Sequence, residues 1–559
     1  MKTPVCALCV LLSGLVAVRA ETSCPLRWVH VTNSLVSEGE FLHLSNVVET
    51  AAASGFNGIF LASGINGEGF DFHRWNLGRR DRLRRLRELC AARGIEIIPS
   101  LWSVGRAHAI IDYDFNLAEA LPMRDIPYVC NGDYATFAPE PDAVTWLTER
   151  PTGVLMAERK VGFEDDKHER KWIDSPRVKT APYRRYRLTF KVRTTGAHTP
   201  GRTHYSFASV EIYRDYDGKI RGEGREGFNF TKADSDWTQG CLDFVTCDNV
   251  ETRITMGFAW QVKYGKVEFS DVDVRPLGLQ KLVRREGAPM TVRSAATGRE
   301  YVEGRDWLVT GRAAKEYERD TDTDLVLRIP AGSAISKGEK LLVSAYTLAR
   351  RSDRQAGVCM ANPGLYEYFD ESMAAAVRLF GPCKRWFLPM DEIRTGGTCA
   401  ACEGKPLGDL LADCLCRQRD IIRKHVPGAE VYAWPDMFSP YGNAREENAG
   451  RGYQLCAGSF WPISKNLPTD IVAAVWSGSK MSQEFDYFNG LGMSTIYAGY
   501  YDAMTVDCPR GIEAMRKMKK AKDCRGFIYS TWTSGGKYDL LPAYGEALKR
   551  EFGELPKTR

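Results

Sequence analysis

Residues 385–394, RWFLPMDEIR, join a short apolar run to two adjacent acids, Asp391 and Glu392, with Arg394 two residues on. A run of four to six apolar residues that stops at charged groups reads as a buried strand delivering its last side chains to solvent. A buried parallel strand needs helices on its faces. The flanks supply them: residues 365–379 and 407–425 both carry apolar residues at helical spacing. The pattern then repeats downstream. Strands are expected at 430–434 (EVYAW), 470–476 (DIVAAVW), 493–498 (MSTIYA) and 526–531 (GFIYST). Upstream the same alternation runs through a strand at 27–32 (RWVHVT), a helix at 41–54, a strand at 57–62 (NGIFLA), a helix at 81–92 and a strand at 95–101 (IEIIPSL).

Between these two blocks the text changes. From 121 to 348 short runs alternate aromatic and charged residues between polar turns, as at 186–193 (YRLTFKVR), 209–214 (SVEIYR), 252–258 (TRITMGF) and 266–274 (KVEFSDVDV). Period-two alternation is the mark of half-exposed antiparallel strands. Three strands before this stretch and five after it predict an α/β fold, a (β/α)8 TIM barrel interrupted after strand 3 by an inserted, jelly-roll-like β-sandwich. The expected organisation is a leader at 1–20, barrel strands 1–3 at 21–120, the sandwich at 121–280, a second small β unit at 281–350, and barrel strands 4–8 at 351–559. A chain of 559 residues is too long for one core, in keeping with this division.

Composition narrows the function classes. The formal net charge of +5 is small for the length, and the one basic run, residues 79–88 (RRDRLRRLRE), interleaves Leu83 and Leu86 at helical spacing. It reads as a solvated helix rather than a nucleic-acid surface, so no nucleic-acid partner is expected. Lys2, the apolar run 5–18 and the small-x-small site Val18-Arg19-Ala20 read as a secretory leader cut near Ala20. No later run is long enough to span a bilayer, so a secreted or periplasmic location without a transmembrane segment is expected. Sixteen cysteines include one cluster, Cys399, Cys402, Cys414 and Cys416. Its spacing is not a standard zinc pattern, and neither a metal nor a cofactor is expected from it.

In a barrel, chemistry collects at the carboxyl ends of the strands. Those ends carry Asp391, Glu392 and Arg394 after strand 4, Trp434 and Asp436 after strand 5, Trp476 after strand 6, Tyr500, Tyr501 and Asp502 after strand 7, and Trp532 after strand 8. Acids transfer protons, and aromatic rings stack on the apolar faces of sugars, so an oligo- or polysaccharide is the expected ligand. Tyr500 and Tyr501 are successive residues, so at most one of them faces the pocket. Asp502 also fits as a helix cap. The oligomeric state is not legible.

This set resembles the family 20 glycoside hydrolases, the β-N-acetylhexosaminidases, in which an Asp-Glu pair ends strand four. It is also similar to a group of exported barrel proteins from bacteria rich in polysaccharide-degrading genes. The shared pieces are Asp391-Glu392-Ile393-Arg394, Cys399-x-x-Cys402, Trp434-Pro435-Asp436-Met437-Phe438-x-Pro440, Asn443-Ala444, Ala498-Gly499-Tyr500-Tyr501-Asp502 and Tyr529-x-Thr531-Trp532. The resemblance implies a substrate-assisted, retaining hydrolase. In it the sugar's 2-acetamido oxygen attacks the anomeric carbon, Glu392 is the acid/base, and Asp391 orients the acetamido group. Tyr500 or Tyr501 would bond that group, and Trp434, Trp476 and Trp532 would wall the ring. Two departures stand out. Pro389-Met390 replaces the family's Gly-Gly, and strand one lacks the sugar-gripping arginine, leaving His30, Asn33 or Arg394 to take its place. The alternatives are a conventional retaining glycosidase using Glu392 with Asp436 or Asp502, and a non-catalytic exported glycan-binding protein.

Overall fold

A computed structural model describes residues 24–63, 72–159, 172–174, 176–198, 206–216, 219–248, 250–259, 262–310, 323–350, 355–446, 454–476, 478–501, 509–532 and 536–555. The expected leader and Asp502 lie outside these residues. Eight parallel strands form one sheet: β1 (Leu26–Thr32), β2 (Gly58–Ala62), β3 (Glu96–Pro99), β4 (Arg385–Leu388), β5 (Glu430–Ala433), β6 (Val472–Val475), β7 (Ser494–Tyr500) and β8 (Cys524–Ser530). Their order runs β4-β5-β6-β7-β8-β1-β2-β3. A parallel bridge between Ser100 and Phe387, with the Leu101 N–H donating to the Phe387 carbonyl at 2.8 Å, joins β3 to β4 and closes the ring. The interrupted barrel expected from the alternation is present, with strand limits within a few residues of those expected.

The strands are almost wholly buried because both faces are covered. Side chains alternate across each strand, and the two faces build separate cores. Trp28, Phe60, Ile98, Phe387, Tyr432, Trp434, Ile496, Ala498 and Ile528 fill the interior of the ring. Val29, Val31, Trp386, Val431 and Phe527 face outward and join the large core beneath the helices. The helices read as their sequences require. In α4 (Pro363–Phe380) the Asn362 side chain caps the Gly364 N–H, proline occupies the first turn, and the helix stops at Gly381 with φ +81. In α5 (Leu407–His425) Leu407, Leu411, Leu415 and Ile422 form the buried stripe, and Arg423, Lys424 and His425 sit at the negative end of the helix dipole.

The insert is nested rather than serial. In one antiparallel sheet Ala120–Cys130 pairs with Tyr134–Phe137 and Lys340–Leu348, Tyr134–Phe137 with Val326–Arg328, and Lys340–Leu348 also with Leu282–Val283 and Thr291–Ser294. That pairing crosses the boundary expected at 280, because the last strands before the chain returns to the barrel complete the sheet begun by the first strands that leave it. Inside this sheet's chain excursion lie two more antiparallel sheets, built on Arg185–His198 and on Ala208–Tyr216. They share one apolar cluster that includes Leu188, Phe190, Val210, Ile212, Phe258 and Phe269. No described helix is long and apolar enough to cross a membrane.

Candidate active site

The segment after β4 turns sharply. Glu392 adopts φ +47, a left-handed conformation that costs a non-glycine residue about 1–3 kcal/mol and persists only where neighbours enforce it. Two side chains, Asp436 and Gln355, enforce it here. Asp436 Oδ2 accepts the Glu392 N–H at 3.0 Å, Gln355 Nε2 donates to the Glu392 carbonyl at 2.7 Å, and Gln355 also donates to the Gly105 carbonyl at 2.9 Å. Gly105 is required by contact: a Cβ there would lie 2.9 Å from the Ile393 Cα and 3.2 Å from the Asp391 carbonyl oxygen. The loop after β3 is thus pressed against the backbone of the acid pair.

That loop delivers Arg106, whose guanidinium Nη2 forms an ion pair with Glu392 Oε2. Arg394 Nη2 approaches the same oxygen at 3.1 Å. Both arginines are largely buried, which weakens screening by water and strengthens the pairs. Beside them, loss of hydration raises the Asp391 carboxyl to about 6; the Arg106 charge opposes that rise and the Glu392 charge adds to it. Asp436 is pushed well above the usual carboxylate range, first by burial and then by the Asp391 charge, against the hydrogen bonds from the Glu392 N–H and from Asn443 Nδ2 at 2.7 Å. Glu392 thus pairs with both guanidinium groups, and their charges also act on Asp391.

Of the residues expected at the site, Asp391, Glu392, Arg394 and Asp436 are brought together. The others divide. Asp436 is buried and used by Glu392 and Asn443, which sets it beside the pair, not opposite it across a pocket. Trp434 is only 2% exposed and packs with Phe387 at 4.7 Å and Phe60 and Trp532 at 5.8 Å. It is a barrel-core residue, and the expected sugar wall loses it because the ring interior is already filled with aromatics. Tyr501 is likewise withdrawn from the site. It is fully buried on the helix side of the sheet, stacked on Tyr529 at 4.6 Å and against Tyr544 at 4.5 Å, because successive residues of a strand face opposite ways. Trp532 is half-buried against His30 at 4.5 Å, and Trp476 is 41% exposed at the end of β6. The backbone of Tyr500 ends β7.

His30 and Asn33 do not replace the missing arginine. His30 is buried in the ring, its Nδ1 3.0 Å from the Thr531 carbonyl, and burial lowers it to about 4, so it is neutral. The Asn33 amide holds the start of helix α1 (Glu38–Ala53), donating to the Glu40 carbonyl and accepting the Leu35 N–H. Arg106 and Gln355 are the functional residues that sequence reasoning missed. Arg106 follows an expected barrel strand within a few residues, which was its one available signal; Gln355 had none. The expected cysteine cluster also separates. Cys399 and Cys402 stay together, whereas Cys414 accepts from Gln418 at 3.1 Å and Cys416 lies near the Asn466 carbonyl. A surface depression of about 490 Å³ lined by Arg87, Ile95 and Cys383 lies away from these groups and contains none of the three acids.

No protein-family model matches the chain, and no curated protein matches it. Among solved structures it is similar to a rhamnosidase from Novosphingobium sp. PP1Y, at 9% identity and TM-score 0.35, over 96% of this chain and 60% of that one. It is similar to a β-N-acetylhexosaminidase at 11% identity and TM-score 0.37, over 95% of this chain and 71% of that one. For the Flavobacterium johnsoniae chitobiase the values are 10% and 0.37, with 95% of this chain and 50% of that one covered. The chain thus spans less than two thirds of the rhamnosidase and half of the chitobiase. These likenesses are loose, and the chemistry of the site stands on its own residues.

Proposed function

We propose that the chain is an exported glycoside hydrolase acting on an oligo- or polysaccharide at the Asp391–Glu392 pair. The observation that carries this reading is the trio of acids at the ends of β4 and β5, held beside Arg106 and Arg394 with one carboxyl raised to about 6. Glycosidic cleavage needs a group that carries a proton near neutrality and a carboxylate that stays charged against developing positive charge. Two acids in unequal surroundings provide both.

The finer proposal follows the family 20 resemblance: substrate-assisted retention, with Glu392 as acid/base and Asp391 orienting a 2-acetamido group. For Glu392 to donate, the substrate must first draw Arg106 and Arg394 away from Oε2. Those two ion pairs favour a second assignment, in which Asp391 is the proton donor and Glu392 the ionised carboxylate. The buried position of Asp436 weighs against a conventional nucleophile there. A screen of aryl glycosides with and without a 2-acetamido group tests the function. Hydrolysis confined to acetamido sugars supports assistance; equal hydrolysis of both classes rejects it; no hydrolysis of any glycan, with binding retained, favours the non-catalytic glycan-binding protein. The pH profile of Asp391→Asn separates the two donors. Loss of a limb near pH 6 assigns the proton to Asp391, and its retention assigns it to Glu392.

A further inference from the structure

Where the chain leaves the barrel and where it returns, it pairs with itself. Ala118 bridges Val358, the Glu119 N–H donates to the Gly357 carbonyl at 2.9 Å, and the Cys359 N–H donates to the Leu117 carbonyl at 3.0 Å. This neck sets Glu119 and Cys359 side by side although the whole insert separates them in sequence. Against them lies the continuation of the loop that begins at Asp391, carrying Cys399 and Cys402. The three sulfurs form a near-equilateral set: Cys359–Cys399 3.4 Å, Cys359–Cys402 3.6 Å and Cys399–Cys402 3.6 Å. Glu119 Oε2 is 3.9 Å from the Cys402 sulfur. All four residues are buried, and their donor atoms lie within 4.8 Å of one another.

We propose that Glu119, Cys359, Cys399 and Cys402 form a structural site for a divalent, thiophilic metal ion, zinc in the first instance. Tetrahedral zinc, with Zn–S of about 2.3 Å and Zn–O of about 2.0–2.2 Å, places neighbouring sulfurs about 3.8 Å apart and sulfur and oxygen about 3.5 Å apart. The observed separations fall around those values. They do not match a disulfide, which needs about 2.05 Å and would leave the third sulfur over. The carboxylate is oriented as metal ligands usually are, by a second set of bonds. Glu119 Oε1 accepts from the Cys399 N–H at 3.2 Å, the Ala120 N–H at 3.1 Å and Thr398 Oγ1 at 3.1 Å, which turns Oε2 toward the sulfurs. Three thiolates and a carboxylate around a divalent ion leave two excess negative charges, and the buried Arg285 guanidinium, which interacts with Cys359, Cys399 and Glu119, offsets one of them.

Four protein donors and no accessible face describe a closed, structural centre rather than a catalytic one. Its mechanical effect follows from where the ligands sit. The ion ties both strands of the insert's neck to the loop whose other end holds Glu392 and Arg394, so the insert and the acid pair are fixed to each other.

The test is the metal content of the full chain, produced with zinc and purified under reducing conditions without chelator. About one zinc per chain is expected, and cobalt in its place gives a sulfur-to-metal charge-transfer band and the visible bands of a tetrahedral ion. Cys359→Ser and Cys402→Ser lose the ion, whereas Cys416→Ser keeps it. Should the serine variants fail to fold, Glu119→Gln replaces one ligand with a neutral group of the same shape, shifts the cobalt bands and speeds loss of the ion to a chelator. A folded chain that takes up no zinc or cobalt, a Cys359–Cys399 disulfide in the peptide map, or an ion retained by folded Cys359→Ser overturns the proposal.

Discussion

At one end of the segment 391–402, half-buried acids face guanidinium groups; at the other, a buried acid faces three sulfurs. Asp391 and Glu392 are balanced by Arg106 and Arg394, and Asp391 comes to rest at about 6. Glu119 is fully buried, and loss of hydration followed by the Cys399 sulfur raises it to about 8 against the hydrogen bonds from Ala120 and Thr398 and the Arg285 charge. Two carboxyls, an aspartate at one end of the segment and a glutamate packed against the other, therefore meet different surroundings. Fixed arginines leave a carboxyl able to change charge near neutral pH, as acid–base chemistry requires. Around Glu119 lie three sulfurs 3.4 to 3.6 Å apart, and it is this geometry on which the proposed metal site rests. Under the two proposals, the first cluster moves a proton and the second holds two parts of the chain together.

The largest expected effect breaks one end only. Glu392→Gln removes the partner of both guanidinium groups and is expected to lower kcat on a responsive glycoside by about 10²–10⁴-fold, while the zinc content stays at its wild-type value. Arg106→Met should cost about ten- to a hundredfold in kcat/KM, the range for losing a charge-assisted bond. It should also move the pH limb near 6 upward, because the largest charge opposing the rise of Asp391 is gone. Asp391→Asn sharpens the comparison through stability. The folded carboxyl lies above its ordinary value of 3.8, so its contribution to stability is fully present below about pH 4 and is lost as pH rises through about 6. Melting temperatures measured from pH 4 to 8 should fall less in the variant than in the wild type. Smallest of all, Trp476→Ala should alter stability by no more than about 0.5 kcal/mol, since the ring is exposed. A rise in KM without a change in kcat would mark it as a sugar contact.

The barrel was legible because each strand is a local signal, an apolar run buried on both faces and flanked by helical periodicity. The acid pair was legible for the same reason, being at the end of such a run. The roles of the aromatics were less so. Trp434 and Trp476 both end strands in the sequence, yet one closes the core and the other meets solvent. The spacing of residues along one strand says nothing of what the opposite side of the ring presents. Tyr501 was half-read: alternation required one tyrosine of the pair to turn away, but not which.

What the sequence determined by itself was the set of elements and the chemical type of the strand ends, since both are written over a few neighbouring residues. What only the tertiary structure decided were the long-range meetings. Arg106 reaches Glu392 from another loop, Gln355 clamps it from the far side of the insert, and Cys359, not Cys414 or Cys416, completes the sulfur cluster. The return of the chain through its neck decides the last two, and the closure of β3 against β4 the first. That neck is a backbone pairing between residues more than two hundred positions apart, and no local pattern encodes its register.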